Sequence, residues 1–63
     1  MKARTQHPLM TSAEVAYLFD VTTATVRRWA EAGSLTEART IGGHRRFKRE
    51  EVEALARANG IEP

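Results

Sequence analysis

The sequence has no cysteine and only two histidines, His7 and His44. Disulfide bonds and thiolate-bound zinc are therefore excluded as sources of stability, and two histidines so far apart do not suggest a metal site. The chain is also short, at 63 residues, and domains of this size bury only about 60% of the surface that the unfolded chain exposes. We therefore expect one domain whose stability depends on its apolar residues alone.

Long hydrophobic runs are missing as well. No apolar stretch approaches the roughly 20 residues needed to cross a bilayer. The N-terminal segment MKARTQHP carries two cations but no hydrophobic stretch behind them, so it does not resemble a signal peptide. No nucleophile–base pair, metal-binding constellation or phosphate-binding loop is present, and we therefore expect neither an enzyme nor a cofactor. The expected location is the cytoplasm, in association with the nucleoid.

Positive charge is concentrated in the middle of the chain. The net charge is only +2, but between residues 27 and 49 the cations are opposed by Glu31 and Glu37 alone. These cations are Arg27, Arg28, Arg39, Arg45, Arg46, Lys48 and Arg49. Acidic residues gather instead in the segment EEVE, residues 50–53. Such a distribution is typical of a nucleic-acid-binding protein, although a solvated charged surface would also account for it.

The segment MTSAEVAYLFD predicts a first helix. Thr11 as N-cap and Glu14 three residues later form a capping box, and Met10 and Val15 stand at the positions of a hydrophobic staple. The helix is expected to end near Asp20. Its apolar face consists of Val15, Leu18 and Phe19. Residues 1–9, before this helix, are expected to be a flexible basic arm.

The segment VTTATVRRWAEAG predicts a second helix, with Thr22 as N-cap and Gly33 in the left-handed conformation that ends a helix. Its buried stripe consists of Val26, Trp29 and Ala30. We interpret Trp29 as a core anchor rather than a surface on which bases stack. Residues 20–22 leave only a short turn between the two helices, as in a helix-turn-helix, although the usual turn glycine is missing.

A hairpin and a third helix complete the predicted fold. Residues 36–41 and 44–48 flank Gly42 and Gly43, which predicts a type I′ turn, and Leu35 is expected to pack beneath the second helix. The segment REEVEALARANG predicts a helix that ends at Gly60 and buries Val52, Leu55 and Ala56. The fold class is mainly α with a small β-hairpin, a winged helix-turn-helix over residues 10–60, followed by a tail at 61–63.

The expected register of the hairpin, which forms the wing of this fold, places like charges opposite each other. Pairing across the two glycines places Arg39 opposite Arg46, Ala38 opposite Phe47 and Glu37 opposite Lys48. Like charges directly opposite each other destabilise a strand pair. We infer that a phosphate anion compensates for them, because bidentate arginine suits phosphate. The alternative is a simple turn with solvated arginines, and His44 has a comparable chance of contacting phosphate or facing solvent.

The outward face of the second helix carries small residues near its start and two arginines one turn later. Arg28 is the better candidate for base edges, since arginine to guanine is the commonest specific contact, whereas Arg27 is nearer the core and suits a phosphate. Thr23 and Thr25 could bind phosphates or touch a thymine methyl. An ordinary amphipathic helix with a charged side remains the alternative.

Two segments together, MTSAEVAYLFDVTTATVRRWAEAGSL and RTIGGHRRFKREEVEAL, resemble the DNA-binding domain of the MerR superfamily, above all its small BldC-like and excisionase-like members. The resemblance spans about residues 9–57. It implies a winged helix-turn-helix with a recognition helix at 23–32 in the major groove and a wing that touches DNA backbone or minor groove. The contacting residues that it implies are Arg27, Arg28, His44, Arg45 and Arg46.

The leading functional hypothesis is a sequence-specific bacterial transcriptional regulator of double-stranded DNA, of BldC-like type, that binds direct repeats cooperatively and head to tail. The rival is an excisionase-like architectural factor that bends DNA for an integrase; a protein-binding adaptor is a more distant alternative. Because the chain leaves no room for an effector domain, we expect no small-molecule effector. The expected DNA contacts are Thr23, Thr25, Arg27, Arg28, Arg39, Gly42, Gly43, His44, Arg45, Arg46 and Lys48.

The same hypothesis proposes two opposite-signed surfaces for contact between neighbours on DNA. One is the acidic EEVE segment and the other is the basic arm with Lys2 and Arg4. A disordered arm and a solvated helix would explain these charges equally well.

Overall fold

A computed structural model describes residues 8–39 and 42–62, with only the backbone of Arg39 included. Three helices are combined with a small antiparallel sheet, which confirms the winged helix-turn-helix class. The elements in chain order are β1 (Leu9–Thr11), α1 (Ser12–Phe19), α2 (Thr23–Glu31), β2 (Glu37–Arg39), β3 (Arg45–Lys48) and α3 (Arg49–Ala58). The helices therefore match the predicted ones, while the sheet contains a strand that the sequence analysis missed.

The capping box at the start of α1 is confirmed. The Thr11 hydroxyl accepts a hydrogen bond from the Glu14 backbone N–H at 3.1 Å, and the Glu14 carboxylate accepts one from the Thr11 N–H at 2.8 Å. These reciprocal bonds satisfy two backbone donors that an uncapped helix would leave without partners. Residues 11–14 thus determine the point at which β1 ends and α1 begins.

The turn between α1 and α2 is closed by an aspartate in place of a glycine. Asp20 has φ 58° and ψ 47°, the left-handed conformation, and its backbone N–H bonds the carbonyls of Ala16 and Tyr17. Aspartate is one of the few non-glycine residues that occasionally adopt this conformation, because its short polar side chain can hydrogen-bond locally. Two residues later, the Thr22 hydroxyl accepts from the Thr25 N–H at 3.2 Å and caps α2 as predicted. The steep helix-turn-helix is therefore built without a turn glycine.

The C-terminal ends of α2 and α3 also follow the sequence signals. Gly33 has φ 89°, and the following Ser34 N–H donates back to the Trp29 carbonyl at 2.9 Å. Gly60 has φ 76°, and the Ile61 N–H donates to the Ala56 carbonyl at 2.8 Å. Positive φ is nearly strain-free only for glycine. Both helices therefore end just before a glycine in the sequence.

β3 is the central strand of the sheet, in the order β1–β3–β2. Leu9, which the sequence analysis assigned to the arm, is instead the first residue of β1 and pairs with Lys48. The Pro8 carbonyl accepts a hydrogen bond from the Arg49 N–H at 2.9 Å, which extends this pairing to the start of α3. The rest of the expected arm, residues 1–7, lies outside the described residues.

The predicted hairpin register is wrong by one residue. Glu37 pairs with Phe47, Ala38 with Arg46, and Arg39 with Arg45. The connection therefore spans residues 40–44 and is not a two-residue type I′ turn, in which both central residues have positive φ. Gly43 has φ 82°, whereas Gly42 is not in the positive-φ region. Of this connection, residues 40 and 41 lie outside the described residues.

The core contains side chains from every layer of the fold. Its buried residues are Met10, Val15, Ala16, Val26, Leu35, Phe47, Val52 and Ala56. Phe47 is fully buried and brings the central strand into contact with the helices. Trp29 packs against this core and meets Phe19 edge to face, with ring centroids 5.1 Å apart, as expected for an anchor. Ala16 is a core residue that the predicted helix face did not include.

Among the described helices, none combines the length and the apolar character that crossing a bilayer would require.

Candidate nucleic-acid interface

A concave surface of about 540 Å³ lies where the N-termini of α1 and α2 meet the wing, the hairpin of β2 and β3. We call it the wing cleft. Its lining is mostly polar and cationic and includes two alanines, Ala13 and Ala24. The polar side chains that line it are Thr11, Ser12, Thr23, Arg27, His44, Arg45 and Arg46. Five of these seven belong to the set of DNA contacts that the sequence predicted, so the fold brings together groups from two separate elements.

The α2 side of the wing cleft suits close approach to a nucleic-acid groove. Thr23 and Ala24 are exposed at the first turn, and Arg27 is exposed one turn later. Small side chains at the start of a helix let its backbone approach base edges. The helix N-terminus also carries partial positive charge, which favours phosphate oxygens. This end of α2 therefore combines access with electrostatic attraction to an anion.

Arg28 and Thr25 do not line the wing cleft. The Arg28 Nη2 donates to the Thr25 hydroxyl at 3.2 Å, and that hydroxyl lies 3.0 Å from the Thr22 hydroxyl. The three residues form a polar chain along the neighbouring side of α2. Arg28 is exposed, so its guanidinium is held over the first turn of the helix and keeps donors that face solvent. The predicted readers of α2 thus lie on two adjacent faces of the helix.

The wing arginines are held by internal contacts. The Arg45 Nε lies 3.2 Å from the Glu37 Oε2, in a pair whose side chains are 28% and 22% exposed. Arg46 Nη1 donates to the backbone carbonyl of Arg45 at 2.8 Å. Arg45 Nη1 is buried and has no hydrogen-bond acceptor among the described residues. A buried N–H without an acceptor is costly, so the ion pair with Glu37 leaves part of the hydrogen-bonding capacity of the Arg45 guanidinium unused.

These contacts correct the charge pairing that the sequence predicted. Arg45, not Arg46, stands opposite Arg39 in the strand pair, and Glu37 is paired with Arg45, not with Lys48. Glu37 thus supplies an anion within the chain itself. The charge of Arg45 is therefore partly compensated without the phosphate that the sequence analysis inferred.

The tip of the wing is shaped by Gly42, Gly43 and His44. A side chain built at Gly42 would place its Cβ 3.1 Å from Cδ2 of the His44 ring. The imidazole therefore packs close over Gly42, and a larger residue there would require the His44 ring to move by a few tenths of an ångström. His44 is exposed and lines the wing cleft. Gly42 and Gly43 do not line the wing cleft. Gly43 adopts a positive φ in the connection that leads to His44 and Arg45.

Lys48 lies apart from the wing cleft. It is the residue before α3, exposed, and it pairs through its backbone with Leu9. Its charge instead helps to lower the pKa of Glu51, although hydrogen bonds from Thr36 to that carboxylate are the larger cause. The side chain of Arg39 lies outside the described residues, so the structure does not place that predicted contact.

Sequence reasoning missed the contribution of α1. Thr11, Ser12 and Ala13 line the wing cleft beside α2 and the wing. The capping box did locate this helix start correctly, and a helix start attracts anions. What the sequence did not reveal is that β1 pairs with β3, which brings the N-terminus of α1 beside the wing.

A family model described as a helix-turn-helix domain, of an excisionase-like family, matches residues 9–60. The match begins in β1 and ends after α3, so it includes every element that lines the wing cleft. No curated protein sequence matches the chain.

Proposed function

The chain belongs to the helix-turn-helix domain family and is a DNA-binding helix-turn-helix protein; from this premise we propose that it binds specific sequences of double-stranded DNA as a bacterial transcriptional regulator of BldC-like type. The observation that carries the proposal is the wing cleft. In it Thr23 and Arg27 of α2 face His44, Arg45 and Arg46 of the wing across one concave surface. A single stretch of duplex could contact both walls.

The two walls have different tasks in this proposal. The first turn of α2 enters the major groove, where small side chains permit close approach, and Arg28 reaches base edges from the adjacent face of the helix. Arg27, Arg45 and Arg46 bind phosphates that flank the groove, which fixes the orientation of the helix on the duplex. His44 and the wing tip contact the DNA backbone or the minor groove.

The salt dependence of binding tests the electrostatic part of the proposal. Fluorescence anisotropy with a labelled duplex should show affinity falling steeply with salt; six phosphate contacts correspond to a log–log slope of about −5. Arg46→Gln should weaken binding on all sequences and reduce the slope by about 1. Arg57→Gln is the matched control, because Arg57 lies at the end of α3, pairs with Glu53 and is absent from the cleft.

A slope near zero for the wild-type protein would overturn the proposal and favour the protein-binding adaptor. Equal effects of the two substitutions would show that net charge matters and the position of the wing cleft does not.

A second candidate function is favoured by the match to an excisionase-like family. In this alternative the same contacts align the protein along DNA and bend it for a recombinase. Measuring the end-to-end distance of a bound duplex by fluorescence energy transfer separates the two functions in part. A strong bend, together with binding sites beside an attachment region, favours the architectural factor; a nearly straight duplex with sites at promoters favours the regulator.

A further inference from the structure

Glu37 and Arg45 occupy the same face of the hairpin. Glu37 is directly opposite Phe47, and Arg45 is two residues from Phe47 on the same strand, so the side chains of all three point to one side of the sheet. Phe47 is fully buried, whereas the acid and the arginine are about three-quarters buried at the margin of the core. The ion pair is therefore packed against the fold and is not a contact between two solvated side chains.

Arg45 needs such a partner because its surroundings are cationic. Arg27 and Arg46 line the same cleft. A long side chain amid like charges lowers its energy by extending into solvent, which would remove its guanidinium from the cleft. The carboxylate of Glu37, 3.2 Å from Nε, opposes that movement. Nη1 is buried and has no acceptor among the described residues, whereas the Arg45 side chain as a whole lines the cleft and is 28% exposed to an incoming anion.

We propose that Glu37 is a positioning residue for DNA binding, which holds the Arg45 guanidinium in the wing cleft so that it meets a phosphate without first being ordered. The proposal rests on the DNA-binding function proposed above. It predicts that removing an acid weakens binding to DNA. Removing an acid near DNA raises the positive charge of the protein and by simple electrostatics strengthens binding. If Glu37 orders Arg45, the effect is the reverse. Without the Glu37 carboxylate, the Arg45 side chain is immobilised only when DNA binds, and that loss of entropy weakens binding.

Glu37→Gln tests the sign with almost no change in shape. We expect its affinity for duplex DNA to fall by about 3- to 30-fold, a loss within the range of coupling between contacting residues. Glu62→Gln is the matched control: it makes the same change of charge at an exposed residue after α3 that does not line the cleft, and it should bind as tightly as wild type or slightly more tightly.

A double substitution shows whether Glu37 acts through Arg45. In an Arg45→Gln background, Glu37→Gln should cause no further loss of affinity. Circular dichroism melting of each variant verifies that the fold is intact. In the unbound wild-type protein, nuclear magnetic resonance should show a slowly exchanging Arg45 Nε–H, and that signal should disappear in Glu37→Gln.

Tighter or unchanged binding by Glu37→Gln would overturn the proposal, as would an equal loss in the Arg45→Gln background. If the wild-type protein has no affinity for duplex DNA, the proposed function fails, and the role of Glu37 fails with it. Wild-type binding combined with an unaffected Glu37→Gln variant would overturn the role of Glu37 alone.

Discussion

Arg27 and Arg28 are neighbours in the chain but lie about 100° apart around α2, because each residue advances the helix by that angle. The structure places Arg27 in the wing cleft and folds Arg28 over Thr25 on the adjacent face. Their roles are therefore separable although their chemistry is identical. We assign phosphate binding to the arginine beside the wing and base recognition to the other.

Arg28→Ala should weaken binding to the preferred site by about 1–3 kcal/mol and relax the preference at one base pair, since bidentate arginine carries that much discrimination. Arg27→Ala should weaken binding to all sequences alike. Selection of bound sequences from a randomised duplex pool measures the preference directly. Equal losses on every sequence for Arg28→Ala would make it a phosphate contact and reverse the assignment.

Among the elements, α3 is linked to the segment before β2 by the carboxylate of Glu51. The Thr36 hydroxyl donates to Glu51 Oε2 at 2.9 Å, and the Thr36 backbone N–H donates to Oε1 of the same group. These two bonds, with the nearby charge of Lys48, lower the pKa of Glu51 against a small opposing effect of burial. The carboxylate thus fixes the segment that leads from Leu35 into β2.

This contact makes stability depend on pH. Because the pKa of Glu51 is lower in the folded than in the unfolded chain, its stabilisation is present above its ordinary value of 4.5 and is lost as pH falls through the folded pKa. Urea unfolding between neutral pH and about pH 3 should show a smaller loss of unfolding free energy for Glu51→Gln than for wild type. Glu50 does not contact Thr36, so Glu50→Gln should keep the wild-type dependence of stability on pH. Identical profiles for Glu51→Gln and wild type would contradict this account.

Elements also show where sequence reasoning succeeded. Thr11, Thr22, Gly33 and Gly60 each determine a helix end through hydrogen bonds or dihedral angles within about four residues. The same reasoning failed for the hairpin, where Gly42-Gly43 predicted a two-residue turn. The actual connection has five residues, and its register depends on pairing along β3 as well as on the glycines. Local signals therefore predicted the helices and left the register undetermined.

The whole molecule is small, with a radius of gyration of 11.7 Å and one core. A single module of this kind buries only about 600–1,000 Å² on DNA. Binding to direct repeats would therefore benefit from contact between neighbours. The acidic surface proposed for that contact is partly occupied within the chain: Glu51 accepts from Thr36, and Glu53 lies 4.0 Å from Arg49 and 3.7 Å from Arg57. Glu50 is then the main acid left to attract a neighbour's arm.

Binding to two tandem half-sites should be cooperative if neighbours touch head to tail. Gel-shift titration of a duplex with both half-sites should pass almost directly from unbound to doubly bound DNA. Moving one half-site by half a helical turn should remove the cooperativity, because the neighbour then lies on the opposite side of the duplex. Independent filling of both half-sites at the natural spacing would reject the head-to-tail arrangement.

The candidate site was predictable in composition but not in arrangement. Arg27, His44, Arg45 and Arg46 were all identified from their charge and position, and the fold places them around one cleft. Lys48, which was assigned to the same surface, does not line the cleft. The parts played by Ser12 and Glu37 were missed, because both depend on strand pairing that no local signal reveals.

The sequence alone determined the three helices, their ends and the apolar residues of the core, because caps, left-handed residues and helical periodicity act over a few neighbouring positions. Only the tertiary structure decided which cations share a surface and which acid restrains them. Those relations follow from β1 and β2 pairing on either side of β3. A shift of one residue in that pairing changes the residues that stand opposite Arg45 and Arg46, and such a shift depends on contacts between segments that are distant in the sequence, such as those of the buried Phe47.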